Sequence, residues 1–338
     1  METCSLFKAD RIHQQLLRLE KRFPGCAVDV TGGTDAALFA AGMFCRDTGA
    51  PAFTYSRKSN RFYDISNAPF ADDVPCDTVY RVEDFFRMTG GTLQQGRVDN
   101  SLLSRYMLLY HPLFRVFLKH RKGWSAQVNW FQRISQPRDG EISLRISGDT
   151  EQKGEHGSRV SADPDLLREL NSLGLLRDLS LREDTVSFTF ADEQVRAWLR
   201  DVGSALELET YRACLDAGIF DDVISSAIVN WDDARGGERV SNEIDVMATR
   251  GVIPLFISCK ATEVKTEALN ELAILRDRFG GKVAKAAIVT TSPVHAATRH
   301  RAAQLQIAVI DLEELQAGTV PQRLRTIMKV PEAIPSDR

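Results

Sequence analysis

Two short stretches decide how this chain is read: Asn242-Glu243-Ile244-Asp245-Val246 and, after a brief turn, Phe256-Ile257-Ser258-Cys259-Lys260. Side chains alternate along a strand, so Glu243 and Asp245 are expected on one face while Ile244 and Val246 enter the core on the other. Arg250-Gly251 fits a tight hairpin that brings Ser258 and Lys260 beside the carboxylate row. A carboxylate that holds a divalent cation, next to a lysine that steadies a phosphate or orients a water, is the minimum kit for metal-assisted phosphodiester cleavage. Upstream, Gly203-Ser204-Ala205-Leu206-Glu207 is predicted on a helix packed along this sheet, directing Glu207 at the same metal. Hard oxygen ligands of this kind suit Mg²⁺ or Mn²⁺.

Outward from these strands, residues 201–338 read as one α/β module. A helix over Leu199–Ala217 precedes strands at Val223–Trp231, Glu243–Thr249 and Ile253–Cys259. A helix (Thr266–Phe279), a strand (Ala284–Thr290), a helix (Pro293–Leu305) and a strand (Ala308–Ile310) follow. In residues 89–200 the pattern changes. Leu102–Lys119 and Ala126–Ile134 read as helices, and Gln136–Ser161 as a polar loop. Asp163-Pro164-Asp165 caps a helix carrying Leu166, Leu167, Leu170 and Leu173, and Leu179–Leu181 with Val186–Phe190 forms a hairpin, in the outline of a winged helix.

Residues 1–88 open on an amphipathic helix over Ala9–Phe23, followed by a strand at Cys26–Val30, the turn Thr31-Gly32-Gly33-Thr34, a helix from Asp35 to Cys45, and strands at Pro51–Tyr55 and Arg61–Ile65. This is wound-sheet grammar. A glycine turn between strand and helix leaves backbone amides and the positive helix end pointing at a ligand, which suits phosphate. A Gly-Gly turn also arises simply where the backbone needs positive φ.

Composition narrows the classes. At 338 residues, two or three domains are expected, and a net charge of −3 leaves nucleic-acid contact to local patches. The six cysteines show no Cys-x-x-Cys pair and read as reduced thiols of a cytoplasmic protein. No stretch of eighteen apolar residues marks a membrane span, and Met1–Asp10 lacks the apolar core of a secretory signal. His111, His120, His295 and His300 have no ligand partners at metal spacing in the sequence. Two basic clusters remain open. Arg115, Lys119, His120, Arg121 and Lys122, near Trp124, Trp130 and Phe131, suit either a single-strand grip or a solvated helix end. Arg276, Arg278, Lys282 and Lys285 suit either a phosphate path or a helix C-terminus.

A lone Asp and Lys on adjacent strands ordinarily form a surface salt bridge. Here three motifs, GSALE, NEIDV and SCK, stand in order. Together they resemble the PD-(D/E)xK restriction-like nuclease fold, and more narrowly the CARF-linked nucleases of type III CRISPR systems, in which a helical G-x-W-L-E precedes N-E-[IL]-D-V and E-C-K or S-C-K. The resemblance implies that Glu207 and Asp245 are metal ligands and Lys260 the catalytic lysine. Ser258 stands where the general motif has a second carboxylate, with Glu243, Glu263 and the Cys259 backbone as candidate support.

Val28-Asp29-Val30-Thr31-Gly32-Gly33-Thr34 is similar to the V-N-x-T-G-G-T-K segment of CARF domains, with Asp35 in place of the lysine. That implies that Thr31, Gly32, Gly33 and Thr34 bind a cyclic oligoadenylate, usually cyclic tetra-adenylate, across a homodimer, in a CARF domain shortened at its start. The implied architecture is α/β: a partial Rossmann-like CARF domain, a winged-helix segment and a restriction-endonuclease-like domain. The implied function is a ligand-gated, metal-dependent nuclease acting on single-stranded RNA or DNA or nicking duplex DNA. An ungated restriction or repair nuclease, and an inactive binding module, are the alternatives.

Overall fold

The computed structural model describes residues 8–56, 59–95, 100–101, 103–137, 142–153, 159–230 and 241–329. Cys4, Leu102, Trp231 and the side chain of Lys282 lie outside the described residues. The fold is mixed α/β, in two compact units, Met1–Val79 and Tyr80–Arg338.

The first unit opens on helix α1 (Ala9–Arg22), then strand β1 (Val28–Asp29), helix α2 (Asp35–Thr48) and strands β2 (Ala52–Ser56), β3 (Arg61–Ser66) and β4 (Val74–Pro75). β1 and β2 pair in parallel across the α2 crossover, and β3 and β4 extend the sheet antiparallel. The Thr34 hydroxyl accepts from the Ala37 N–H at 3.2 Å and caps α2, and Gly49, in the left-handed region at φ 73°, ends it.

The second unit begins earlier than the boundary expected after residue 88. Helix α3 (Val82–Thr89) and strand β5 (Thr92–Gln95) precede helices α4 (Met107–Lys119) and α5 (Trp124–Ile134). Val82, Phe85 and Phe86 form the buried stripe of α3 and Gly90 ends it at φ 80°, while β5 closes one edge of the main sheet by pairing with the strand over residues 222–230. Neither element was read from the sequence, because β5 is short and polar and gains order only from that pairing.

The stretch read as a polar loop at 136–161 carries three strands among its described residues: β6 (Arg145–Asp149), β7 (Glu151–Lys153) and β8 (Arg159–Ser161). Helix α6 (Pro164–Ser172), strands β9 (Leu176–Leu181) and β10 (Thr185–Phe190) and helix α7 (Glu193–Leu199) follow. β6 is polar in sequence but pairs along β10, and that register, with Ile146 opposite Phe188, organises it.

The helix expected over Leu199–Ala217 is broken. α7 stops at Leu199, and α8 (Ser204–Ala217) begins after Asp201, whose carboxylate accepts from the N–H groups of Gly203 and Ser204 at 3.0 Å each. The chain then runs through strands β11 (Asp222–Asn230), β12 (Ser241–Arg250) and β13 (Ile253–Lys260), helix α9 (Thr266–Leu275), strand β14 (Lys285–Thr290), helix α10 (Ala296–Gln304), strand β15 (Ile307–Ile310) and helices α11 (Leu312–Ala317) and α12 (Val320–Ile327). Among the described residues the main sheet has the order β15-β14-β13-β12-β11-β5, parallel from β13 to β15 and antiparallel elsewhere.

Both faces of this sheet are covered. One core joins Leu255, Ile257 and Val289 to α8 and to the middle helices through Phe114, Phe117 and Trp198, and the other joins Phe256 and Ile288 to Phe86 of α3 and Leu269 and Leu272 of α9. The middle segment therefore shares its core with the sheet that carries the sequence motifs.

Candidate active site

The carboxyl end of β13 and the start of α8 open onto one cavity of about 530 Å³, lined by Glu207, Glu243, Asp245, Ser258, Cys259 and Lys260 together with residues of α9. Glu207, Asp245 and Lys260, expected together from three motifs, line it with Glu243, Ser258 and Cys259. Glu263, the alternative support, does not line it; its carboxylate lies 3.8 Å from His295 at an exposed position.

Asp245 is held from below. Its Oδ2 accepts from the Cys259 N–H at 2.6 Å and the Ser258 hydroxyl at 3.2 Å, and Lys260 Nζ stands 3.9 Å away. Ser258 thus donates to the acid beside it, as a carboxylate in its place does not when ionised. Burial pushes the Asp245 carboxyl up, against the pull of the Lys260 charge and the two donors, and the charge of Glu243 adds to the upward push. The Cys259 thiol, fully enclosed against Thr210 Oγ1 at 3.4 Å, is raised well above the usual thiol range by burial first and then by the charges of Asp245 and Glu207. It is an inert core sulfur.

Glu207 sits in the first turn of α8, and Gly203 gives it room: a Cβ at position 203 would lie 2.6 Å from Glu207 Oε1. Gly203 has an ordinary φ of −83°, so the conflict a side chain there would meet is with the movable Glu207 carboxylate and not with the backbone.

The expected alternation along β12 fails at the site. Ile244 packs in the α9-side core while Val246 packs in the α8-side core, and on β11 Val223 and Ala227 divide in the same way. The ladder pairs Ser225 with Val246 and Ala227 with Ile244, but the intervening Ser226, opposite Asp245, has φ 52°. Both strands exchange faces at this point without losing register, so Ile244 and Val246 enter different cores while Glu243 and Asp245 both line the cavity.

Several lining residues carried no sequence signal. Glu271 of α9 accepts from Asn242 Nδ2 at 2.7 Å, and Asp201 and Ser125 complete the rim. Glu271, Asp201 and Ser125 each arrive from a separate part of the chain, and Glu271 bonds a motif residue, Asn242.

The other candidates separate clearly. Trp124, Trp130 and Phe131 are core residues, and Trp130 Nε1 donates to the Thr150 carbonyl at 2.9 Å, so these rings offer no stacking surface. Lys285 pairs with Leu255, five residues before Lys260 on β13, roughly 16 Å away at the usual strand rise, so it stands at the opposite end of the sheet from the cavity. The histidines do have partners in space: His111 meets Glu209 at 3.1 Å, His120 lies between Asp163 at 3.0 Å and Glu169 at 3.4 Å, and His300 contacts Gln304 at 3.1 Å. Among the described residues, no group of three or more histidine, cysteine, aspartate or glutamate side chains converges as a metal cluster. No helix of the described residues is long and apolar enough to cross a membrane.

In the first unit, Thr31, Gly32 and Gly33 are exposed and Thr34 is half-buried as the cap of α2. The turn is braced by the Asp29 carboxylate, which accepts from the Thr31 N–H at 2.8 Å, and by the Thr31 hydroxyl, which accepts from the Tyr55 N–H at 2.7 Å. Gly33 has φ 142°, a conformation that excludes most side chains.

Comparison with solved structures places this architecture. Protein VC1899 from Vibrio cholerae superposes with a TM-score of 0.72 at 19% identity, over 95% of this chain and 80% of that one. Can2 from Sulfobacillus thermosulfidooxidans, in complex with cyclic tetra-adenylate, superposes with a TM-score of 0.62 at 16% identity, over 97% of this chain and 82% of that one. This chain shares their fold. The similarity is consistent with the resemblance to CARF-linked nucleases carried by the GSALE, NEIDV and SCK motifs. No family model matches the chain, and no curated protein matches its sequence.

Proposed function

We propose that the protein is a metal-dependent nuclease of the type III CRISPR ancillary kind, gated by a cyclic oligoadenylate and working as a homodimer. The observation that carries the reading is the convergence of Glu207, Asp245 and Lys260, from three separate motifs, on one cavity.

The donor set fits Mg²⁺ or Mn²⁺. Mg²⁺ commonly uses one or two carboxylates and keeps several waters, so Glu207 and Asp245, with Glu243 and the Cys259 carbonyl nearby, suffice without a third clustered acid. A bound cation supplies Lewis acidity to a phosphoryl oxygen and makes water a better nucleophile. Of the chain's own groups, Cys259 N–H and Ser258 fix the Asp245 carboxylate, and Lys260, about one-third exposed, presents an ammonium to the charge that grows on the phosphoryl oxygens. The substrate is the phosphodiester backbone of single-stranded RNA or DNA, or one strand of a duplex. The middle helices with the β9-β10 hairpin serve as a winged-helix-like support.

Gating is supported by the fold shared with the cyclic tetra-adenylate complex of Can2 and by the braced Thr31–Thr34 turn at the start of α2. The test is cleavage of labelled single-stranded RNA and DNA with Mn²⁺, with and without cyclic tetra-adenylate, comparing the natural chain with Asp245→Ala and Lys260→Ala. Cleavage that depends on both residues and rises with the nucleotide supports the reading. Cleavage indifferent to the nucleotide leaves an ungated nuclease, and identical behaviour of all three proteins leaves a binding module.

A further inference from the structure

The cavity poses an electrostatic problem for its own substrate. Among the described residues, Asp201, Glu207, Glu243, Asp245 and Glu271 line it against one cation, Lys260, so a polyanionic strand is repelled from most of this wall. Cations for the flanking phosphates must come from outside this wall: Arg121 and Lys122 of the α4-α5 turn line a separate surface depression with Lys119, His120 and Asp163, and Ser125 just beyond them reaches the cavity. Ser125, in the first turn of α5, lines the cavity itself. Four residues earlier, Arg121 Nη1 donates to the Thr291 carbonyl at 3.1 Å, and the Thr291 N–H in turn bonds the carbonyl of Lys260. The turn is therefore tied to the residue that closes the catalytic strand.

Its charges are unequal in availability. Lys119 is paired with Glu169, and His120 lies between Asp163 and Glu169. Arg121 is exposed beyond its one carbonyl contact, and Lys122 is exposed and forms no ion pair with a described residue. The opposite basic set, around Lys285, stands at the other end of the sheet. Resting on the nuclease reading above, we propose that Arg121, Lys122 and the Ser125 hydroxyl form a phosphate subsite that carries the nucleic-acid backbone next to the scissile bond. A subsite of this kind reads charge and spacing and not base identity.

The test is binding, separate from cleavage. The full-length chain is titrated against fluorescein-labelled single-stranded RNA, single-stranded DNA and duplex DNA in EDTA, by anisotropy over a salt series. Lys122→Ala is expected to lower affinity severalfold on every strand that binds and to reduce the salt slope by about one. Lys285→Ala is expected to change neither. Ser125→Asp adds a carboxylate where a helix start favours one, so it is expected to keep or raise the melting temperature while weakening binding at least about tenfold. A Lys122→Ala salt slope equal to that of the natural chain overturns the proposal, as does an equal loss in Lys285→Ala or a loss confined to one base sequence. Binding that responds as stated, with no cleavage in Mn²⁺, supports the subsite and defeats the nuclease reading alone.

Discussion

The Ser226 hydroxyl donates a 2.6 Å hydrogen bond to Glu243 Oε1 from a backbone at φ 52°, directly across from Asp245. A left-handed residue inside a strand costs about 1–2 kcal/mol for anything but glycine. The bond to the Glu243 carboxylate partly offsets it, and the acid it holds lines the same cavity as Asp245.

Replacing Ser226 separates these effects. Ser226→Ala keeps the backbone penalty and removes the bond to the Glu243 carboxylate, which is exposed and can be rehydrated, so chemical denaturation is expected to show a loss of about 0.5–1.5 kcal/mol. Ser226→Gly relieves the backbone and is expected to recover part of that loss. If both variants melt as the natural chain does, the bond contributes nothing to stability.

Gly203→Ala is expected to displace the Glu207 carboxylate, because the new methyl would sit 2.6 Å from Oε1 while the backbone angle itself suits alanine. Under the proposed function, Mn²⁺-dependent cleavage falls at least about tenfold, the effect of misplacing a reacting group by about an ångström. Circular dichroism is expected to show the helix intact.

Asp245 links acid strength to stability. Burial raises its folded-state pKa above the unfolded value, so its contribution is fully present at low pH and lost as pH rises through the raised value. Above that raised value and without metal, the ionised group is a burden. Asp245→Asn is therefore expected to raise the melting temperature in EDTA while abolishing cleavage. Added Mn²⁺ should stabilise the natural chain through binding linkage and leave the variant unmoved. Calorimetry in the two conditions reads both effects.

The opposite sign operates at α6. Burial pushes the Asp163 carboxyl up, but the Leu166 N–H, the His120 imidazole and the Asp165 N–H together carry it below the usual range. Glu169 is lowered chiefly by its bond to Lys119. Both stabilise above the ordinary carboxylate pKa and lose that contribution as pH falls through the depressed values. Melts between about pH 5 and 3 are expected to show this loss. Asp163→Asn, which keeps a good helix cap without a titrating group, should flatten it.

Much of the site was legible in the sequence because its motifs are local. NEIDV and SCK lie on neighbouring strands of a hairpin, so spacing brings Asp245 and Lys260 near one another, while Glu207, 38 residues upstream of Asp245, was placed with them by the family resemblance. Glu271, Asp201 and Ser125 were not legible, since each reaches the cavity from an element whose position depends on long-range packing. The alternation rule also misassigned Ile244 and Val246, because it has no way to register a face exchange caused by one residue on the adjacent strand.

By itself the sequence determined the α/β class and the order of the motif strands, which follow from short-range periodicity and residue type. Only the tertiary structure decided that Glu243 and not Glu263 joins Asp245 and Lys260 at the cavity, that Ser258 serves Asp245 as a donor, and that Ser125 of α5 borders it. Those outcomes depend on which surfaces of distant elements are buried together. Burial is a property of the whole packed unit and not of any window of its residues.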